Sequence, residues 1–162
     1  MEIRTYGDPV LRRRAEPVER IDEGIRKICE KMVETMIRAD GVGLAAPQIG
    51  ISKRIIVLDV EGEFHILINP ELVETSEEME EFTEGCLSVP GVSATVKRSA
   101  EATVIGTRLD GSQIKITGRG LLARAIQHEI DHLEGRLFID RLTPARRQSI
   151  RKEYERKRRE TK

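Results

Sequence analysis

The sequence predicts an α+β fold: a compact single domain of antiparallel strands packed around a central helix with the pattern HExxH, with an N-terminal amphipathic helix and a C-terminal basic helix. Three observations support this prediction. The 162 residues are enough for one ordinary domain. Short β-branched runs separated by turn residues fill the middle of the chain, and apolar residues with helical spacing lie on both sides of them.

Charge and composition exclude several classes of protein. Lys and Arg number 28, as do Asp and Glu, so the formal net charge is zero. A 38% apolar fraction is sufficient for a core and argues against disorder, and two cysteines are too few for a disulfide scaffold. Since no apolar run approaches the ~20 residues of a membrane span and no signal sequence is recognised, we expect a cytoplasmic protein without membrane contact. The 3% aromatic content argues against a stacking surface for single-stranded nucleic acid.

Three helices are predicted. Apolar residues recur every three or four positions over residues 25–37, which indicates an amphipathic helix. A second helical pattern begins at Gly120 and ends before Gly135. Thr143 and Pro144 offer an N-cap and a first-turn proline for a terminal helix that ends near residue 160.

Two β-hairpins are predicted between the first two helices. The runs that suit strands are residues 54–60, 64–69, 103–109 and 112–117. Asp110-Gly111 suits a tight type I′ turn in the second hairpin. The acidic stretch 74–84 is interpreted as a solvated loop or an edge strand.

Residues 128–132, His-Glu-Ile-Asp-His, carry the chemistry. On a helix the two histidines lie on one face four residues apart, so both imidazoles can bind one metal ion. Glu129 would project beside that ion and could take a proton from water. The third histidine, His65, lies in a predicted strand without a partner pattern and is not expected to be a ligand.

A catalytic site of this type needs a third protein ligand. Glu134 is too near on the same helix, and Asp140 is assigned to a pair with Arg141. Cys86 follows a glycine and does not lie on an apolar periodic face. Metal ligation becomes the better interpretation of Cys86 only together with the histidines.

Three segments in this order and spacing resemble the signature motifs of bacterial peptide deformylases. They are residues 41–50 (Gly-Val-Gly-Leu-Ala-Ala-Pro-Gln-Ile-Gly), 84–90 (Glu-Gly-Cys-Leu-Ser-Val-Pro) and 127–132 (Gln-His-Glu-Ile-Asp-His). Residues 6–11 and the Asn69-Pro70 pair are also similar to that family. The resemblance implies a catalytic deformylase domain over residues 1–142, with residues 143–162 as a basic helix of the same domain.

The resemblance further implies a metal-dependent hydrolase that removes the formyl group from the N-terminal formyl-methionine of nascent polypeptides and releases formate. Cys86, His128 and His132 would hold one divalent ion, commonly Fe²⁺, with Zn²⁺, Ni²⁺ or Co²⁺ as alternatives. Glu129 would act as general base and then as general acid. The oxyanion would be met by the Leu87 backbone N–H, the Gln48 side-chain amide and the metal.

The same resemblance implies a peptide that pairs with the glycine-rich loop like an added strand, and an apolar pocket for the methionine side chain. The substrate-binding residues expected are Val42, Gly43, Leu44, Leu121 and Ala125. Arg124 is more polar than the wall of such a pocket would normally be. Asp40 and Arg98 are expected to hold the ligands in position without binding the metal themselves.

Charge is distributed very unevenly along the chain. Residues 141–162 contain ten Lys and Arg against three Glu. By resemblance to the family, this basic helix would bind the ribosome near the exit of the nascent chain, because clustered cations bind phosphate. The alternative is a solvated helix that only promotes solubility.

Two other functions are weighed. A small HExxH zinc peptidase would need a downstream His or Glu as third ligand, and no histidine follows His132. A non-enzymatic RNA-binding module is suggested by the basic terminus, but it would leave the candidate metal and proton-transfer residues without a role.

Overall fold

The computed structural model describes residues 2–160 and has an α+β architecture. Its helices are α1 (Glu23–Arg38), α2 (Gly120–Leu133) and α3 (Pro144–Glu160). Its strands are β1 (Gly43–Ala45), β2 (Ile55–Val60), β3 (Glu63–Thr75), β4 (Met79–Cys86), β5 (Val89–Ser99), β6 (Glu101–Thr107) and β7 (Gln113–Arg119). Short 3-10 helices occupy Pro9–Arg12, Ala46–Ile49 and Phe138–Arg141. The three predicted helices are confirmed.

The strands form two antiparallel sheets. The larger has the order β1-β2-β3-β6-β7, and the smaller pairs β4 with β5. The short β1 therefore lies at an edge of the larger sheet, with β2 on one side. An edge strand keeps backbone groups available for a further strand.

Helices α1 and α2 pack against the larger sheet through their apolar faces. Asp22 caps α1 by accepting from the Ile25 N–H at 3.0 Å, and the apolar stripe of α1 packs near β1 and β2. α2 buries Ile126, Ile130 and Leu133 in the core formed with the larger sheet. The opposite side of α2 contacts β4 and β5 through polar side chains, so this helix touches both sheets.

The C-terminal helix α3 packs on β5 and on the 3-10 helix Phe138–Arg141. The Thr143 hydroxyl accepts from the Arg146 N–H at 3.3 Å, as the predicted cap requires. Ile150 and Tyr154 are buried, and the Tyr154 ring meets Tyr6 edge to face with a centroid distance of 5.5 Å. No helix within residues 2–160 is long and apolar enough to span a membrane.

The predicted type I′ turn at Asp110-Gly111 is wrong. Gly111 has φ +89°, but Asp110 is not in the left-handed region that such a turn requires at both positions. The residues between β6 and β7 form a longer loop, in which the Asp110 carboxylate accepts from the Ser112 N–H at 2.8 Å. The tight turn lies instead at Glu61-Gly62, with φ of +52° and +85°.

The middle of the chain contains more strand than predicted. β3 continues past Asn69 to Thr75, and most of the acidic stretch is β4. Its partner β5 had no counterpart among the predicted strands. β5 alternates buried and exposed residues, but its exposed positions include a proline and a glycine that weakened the pattern.

Candidate metal and active site

Three side chains converge where β4 ends against α2. The ligand atoms of Cys86, His128 and His132 all lie within 4.8 Å of one another, and Cys86 Sγ is 3.3 Å from His132 Nε2. One helical turn separates the histidines, whose ring centroids are 5.0 Å apart. Cys86 is set at this position by a register shift between Gly85 and Cys86 at the end of the strand. The structure thus brings together the three predicted ligands.

Glu84 orients the first histidine. His128 Nδ1 lies 3.0 Å from Glu84 Oε1, which leaves Nε2 for another partner. Burial opposes ionisation of Glu84, but hydrogen bonds from His128 and Arg98 lower the pKa of this carboxyl to about 2. Sequence analysis did not assign this role to Glu84. The only usable signal was the position of Glu84 two residues before the candidate ligand Cys86, within the second motif.

The two histidines have different electrostatic surroundings. Burial lowers the pKa of His132 well below its ordinary value, so its ring is neutral and its nitrogen lone pair is available. Burial would also lower the pKa of His128, but the nearby charges of Glu129, Cys86 and Glu84 raise it well above its ordinary value.

Arg98 is buried and, as expected, holds residues next to the ligands in position. Its guanidinium donates to Glu84 at 2.6 and 3.0 Å and to Asp131 at 2.9 Å. Asp131 in turn accepts from Arg141 at 2.6 Å. The expected Asp140–Arg141 pair is wrong, since Asp140 pairs with Arg12.

Asp40 does not occupy the supporting position expected for it. It is exposed at the rim of the cavity next to the site, and its backbone has φ +57°. Arg98 bonds instead to Glu84 and Asp131, and neither of these bonds involves Asp40.

Glu129 is the buried acid beside the three ligands. Only 4% of it is exposed, and Oε1 has no hydrogen-bond partner in the protein. Burial raises the pKa of Glu129 to about 7. A carboxyl with this pKa can both accept and return a proton near neutral pH. Gly43 packs directly against it, because a Cβ at position 43 would lie 2.6 Å from Glu129 Oε2.

Gln48 is held rigidly with its amide group directed at the ligand cluster. Its Oε1 accepts from the Ala45 N–H at 2.9 Å, and its Nε2 donates to Ser88 Oγ at 3.1 Å. Nε2 is also 3.6 Å from Cys86 Sγ. The amide N–H groups are thus positioned near the metal-ligand candidates.

A cavity of about 570 Å³ opens onto these groups. Its lining includes Cys86, Leu87, His128, Glu129 and Gln48, together with four of the predicted substrate residues, Val42, Gly43, Leu121 and Ala125. Arg124 contributes to the wall. The Leu44 side chain is fully buried in the core beside α1, so only the Leu44 backbone can meet a ligand.

The residues fit a divalent cation. One thiolate and two imidazoles are a usual ligand set for Zn²⁺ and for other first-row divalent ions. Burial lowers the pKa of His132 well below its ordinary value, which favours the neutral ring that ligates, and the bond to Glu84 leaves the Nε2 of His128 open. Cys86 and His128 both face the cavity, which leaves space for a further ligand on that side.

The alternative third ligands are engaged elsewhere. Glu134 pairs with Arg54 at 2.5 Å and with Arg14 at 3.3 Å. His65 lies on β3 and is 2.8 Å from Glu63. A zinc peptidase with a downstream carboxylate ligand is therefore not supported.

Comparison with known proteins agrees with this geometry. The family described as polypeptide deformylase matches residues 1–148. The peptide deformylase of Natranaerobius thermophilus is 52% identical over 141 residues, which are 86% of this chain and 90% of that protein. The peptide deformylase of Halothermothrix orenii is 54% identical over 144 residues, 88% of this chain and 93% of that protein.

A solved structure supports the same conclusion. The crystal structure of a peptide deformylase from Legionella pneumophila superimposes with a TM-score of 0.93 at 44% identity, and the match covers 99% of this chain and 96% of that one. The resemblance found in the three sequence motifs is confirmed, and the chain belongs to the polypeptide deformylase family.

Proposed function

We propose that this protein is a metal-dependent amide hydrolase that removes the formyl group from the N-terminal formyl-methionine of nascent polypeptides and releases formate. The observation that carries the proposal is the convergence of Cys86, His128 and His132 beside a buried carboxyl, Glu129, at the end of a cavity. Membership of the deformylase family supports the same activity.

The substrate backbone is proposed to pair with the free edge of β1. Gly43 lies in β1 and lines the cavity, so a peptide that adds a strand there passes directly beside Glu129. The methionine side chain then enters the cavity between Val42, Leu121 and Ala125. The Leu44 backbone would contribute to the strand pairing.

Cys86, His128 and His132 would hold the divalent ion. An ion at this position supplies Lewis acidity toward the formyl carbonyl and the attacking water. Glu129 would accept the proton of the attacking water and transfer it to the leaving amine, because its carboxyl lies buried beside the three ligand residues with Oε1 free of any other partner. Gln48 Nε2 and the Leu87 backbone N–H donate hydrogen bonds to the oxygen that becomes negatively charged.

We propose Fe²⁺ as the ion, with Zn²⁺, Ni²⁺ or Co²⁺ able to occupy the same residues. A mixed thiolate and imidazole set accommodates all four, so the ligands alone do not select among them. Metal content measured on protein purified without oxygen tests the identity of the ion. A preparation that holds one equivalent of zinc and no iron would contradict the choice of Fe²⁺.

Formate release tests the activity. We expect formyl-Met-Ala-Ser to yield formate and free Met-Ala-Ser, and we expect no cleavage of unformylated Met-Ala-Ser. His128→Ala should abolish formate release, whereas His65→Ala, a matched histidine on β3, should retain it. Cleavage of internal peptide bonds without formate release would contradict the proposal and favour a peptidase.

We also propose that α3 docks on ribosomal RNA near the exit of the nascent chain, in the cytoplasm. The exposed cations of α3 support this role. Tyr154 of α3 is buried against the rest of the chain, so we place α3 in the same domain as residues 1–142. A triple variant that replaces Arg151, Lys152 and Arg159 by Gln should co-sediment less with ribosomes yet cleave short formyl peptides normally. Equal co-sedimentation, or binding that does not weaken with salt, would contradict the docking.

A further inference from the structure

Arg124 lies on the same face of α2 as His128 and His132. Arg124 is four residues before His128, which is four before His132, so all three point to the same side of the helix. Arg124 is 7% exposed, and it is the polar residue that sequence analysis found unusual for a cavity wall. Its guanidinium donates to the Glu84 carboxylate, the same group that orients His128.

The guanidinium of Arg124 also bonds to the backbone of both strands of the smaller sheet. It donates to the carbonyl oxygens of Glu80 on β4 at 3.1 Å and of Val96 on β5 at 3.2 Å. Its Cζ lies 4.5 Å from the ring centroid of Phe82, whose partner across the sheet is Val96. One helix side chain thus contacts three alternate residues of β4 and the strand beside it.

The position of β4 against α2 decides the geometry of the metal ligands. Cys86 is carried by β4, whereas the histidines are carried by α2, and β4 pairs with β5 in a sheet of its own. A shift of β4 along the helix by a fraction of a residue would move Sγ out of reach of His132 Nε2, which is now 3.3 Å away. An apolar cluster packs β5 on the residues after α2. The contacts that α2 itself makes with this sheet are largely hydrogen bonds, so these bonds align the helix that carries the histidines with β4.

We propose that Arg124 is a positioning residue that fixes β4 against α2 and so keeps Cys86 within reach of the two histidines. The proposal rests on the metal site argued above. Arg98 lies in β5 itself and bonds only to carboxylates, whereas Arg124 reaches from the helix to backbone oxygens of both strands. Without Arg124, Glu84 retains Arg98 and His128 as partners, so the carboxylate is not left unpaired and the variant can fold.

Metal release measures this positioning directly. Wild type, Arg124→Met, Arg124→Lys and Arg119→Met would be loaded with Co²⁺, and two readouts taken: the thiolate-to-cobalt charge-transfer band and the rate of Co²⁺ loss to a chelator. Arg119→Met is the matched control, because Arg119 pairs with Glu101 at 2.6 Å at the start of α2 but is 81% exposed. Circular dichroism would establish that each variant is folded at the temperature used.

We expect Arg124→Met to lose Co²⁺ about tenfold faster than wild type and to show a weaker or shifted charge-transfer band, since partners outside the ligand shell contribute at least that much to metal affinity. Arg124→Lys should remain impaired, because one ammonium cannot reach Glu84 and both carbonyls at once. Arg119→Met should match wild type.

Two results would overturn the proposal: release from Arg124→Met at the wild-type rate with an unchanged band, or full rescue by Arg124→Lys, which would mean that charge alone is sufficient. If Arg124→Met does not fold, the comparison of Arg124→Lys with wild type decides by the same criteria. Absence of the charge-transfer band in wild type is a different failure, since it would refute the metal site itself.

Discussion

Replacing Glu129 by Gln should abolish turnover and at the same time stabilise the metal-free protein. Burial raises the pKa of Glu129 from 4.5 to about 7, so the folded state binds its proton more tightly than the unfolded state. Below about pH 4.5 the ionisation of Glu129 therefore does not change the free energy of unfolding. As the pH rises to about 7 it lowers that free energy progressively, and above pH 7 the reduction is constant. At ~1.4 kcal/mol per pKa unit, the full penalty is about 3 kcal/mol.

Thermal unfolding of the metal-free proteins at pH 5 and pH 8 measures this penalty. Glu129→Gln should gain stability relative to wild type between the two pH values. Because part of the penalty is already present at pH 5, the gain for a chain of this size corresponds to roughly 5 to 10 °C in Tm. Taking the difference between two pH values removes the pH-independent effect of burying an amide. Identical pH dependence in the two proteins would refute the burial argument.

Activity and metal content of the same variant test the role of Glu129. Formate release should fall at least about 100-fold, which is the usual contribution of a general base. The variant should still bind one equivalent of metal, because Glu129 is proposed to carry protons and not to ligate. Loss of stoichiometric metal would make Glu129 a ligand and would end the proposed assignment.

Further predictions concern the ligands, the loop beside Glu129 and the terminal helix. Cys86→Ala should lose metal and activity together. Metal analysis and formate assays on one preparation measure both. The iron form should lose activity in air while a nickel form does not, because a thiolate beside Fe²⁺ is open to oxidation; equal loss in both would count against iron. Gly43→Ala should reduce formate release at least about tenfold with unchanged circular dichroism, since its Cβ would meet Glu129 Oε2 at 2.6 Å. Truncation after Ile150 should lower Tm by removing buried Tyr154, at a cost of about 3 kcal/mol, and an unchanged Tm would mean that α3 is not anchored there.

Local patterns in the sequence predicted the features that depend on near neighbours in the chain. The apolar stripe of residues 25–37 and the four-residue spacing of His128 and His132 follow from helical periodicity, which a helix reproduces wherever it packs. The three motifs also pointed to Cys86 as the third member of the cluster, and the structure places its Sγ 3.3 Å from His132 Nε2. Strand boundaries were less well predicted, because β5 and the end of β3 take their partners from elsewhere in the chain.

Tertiary structure alone decided which charged groups meet. Asp140 pairs with Arg12, 128 positions away in the sequence. Glu84 pairs with Arg98 on β5 and with Arg124 and His128 on α2. Such pairs leave no periodic signal, since a charged residue looks the same in sequence whether it is solvated or buried with a partner. The pKa of Glu129 is determined in the same way. The HExxH spacing places the carboxyl beside the candidate ligands, but only the packing of Gly43 and the core around α2 removes the water that would otherwise leave it an ordinary glutamate.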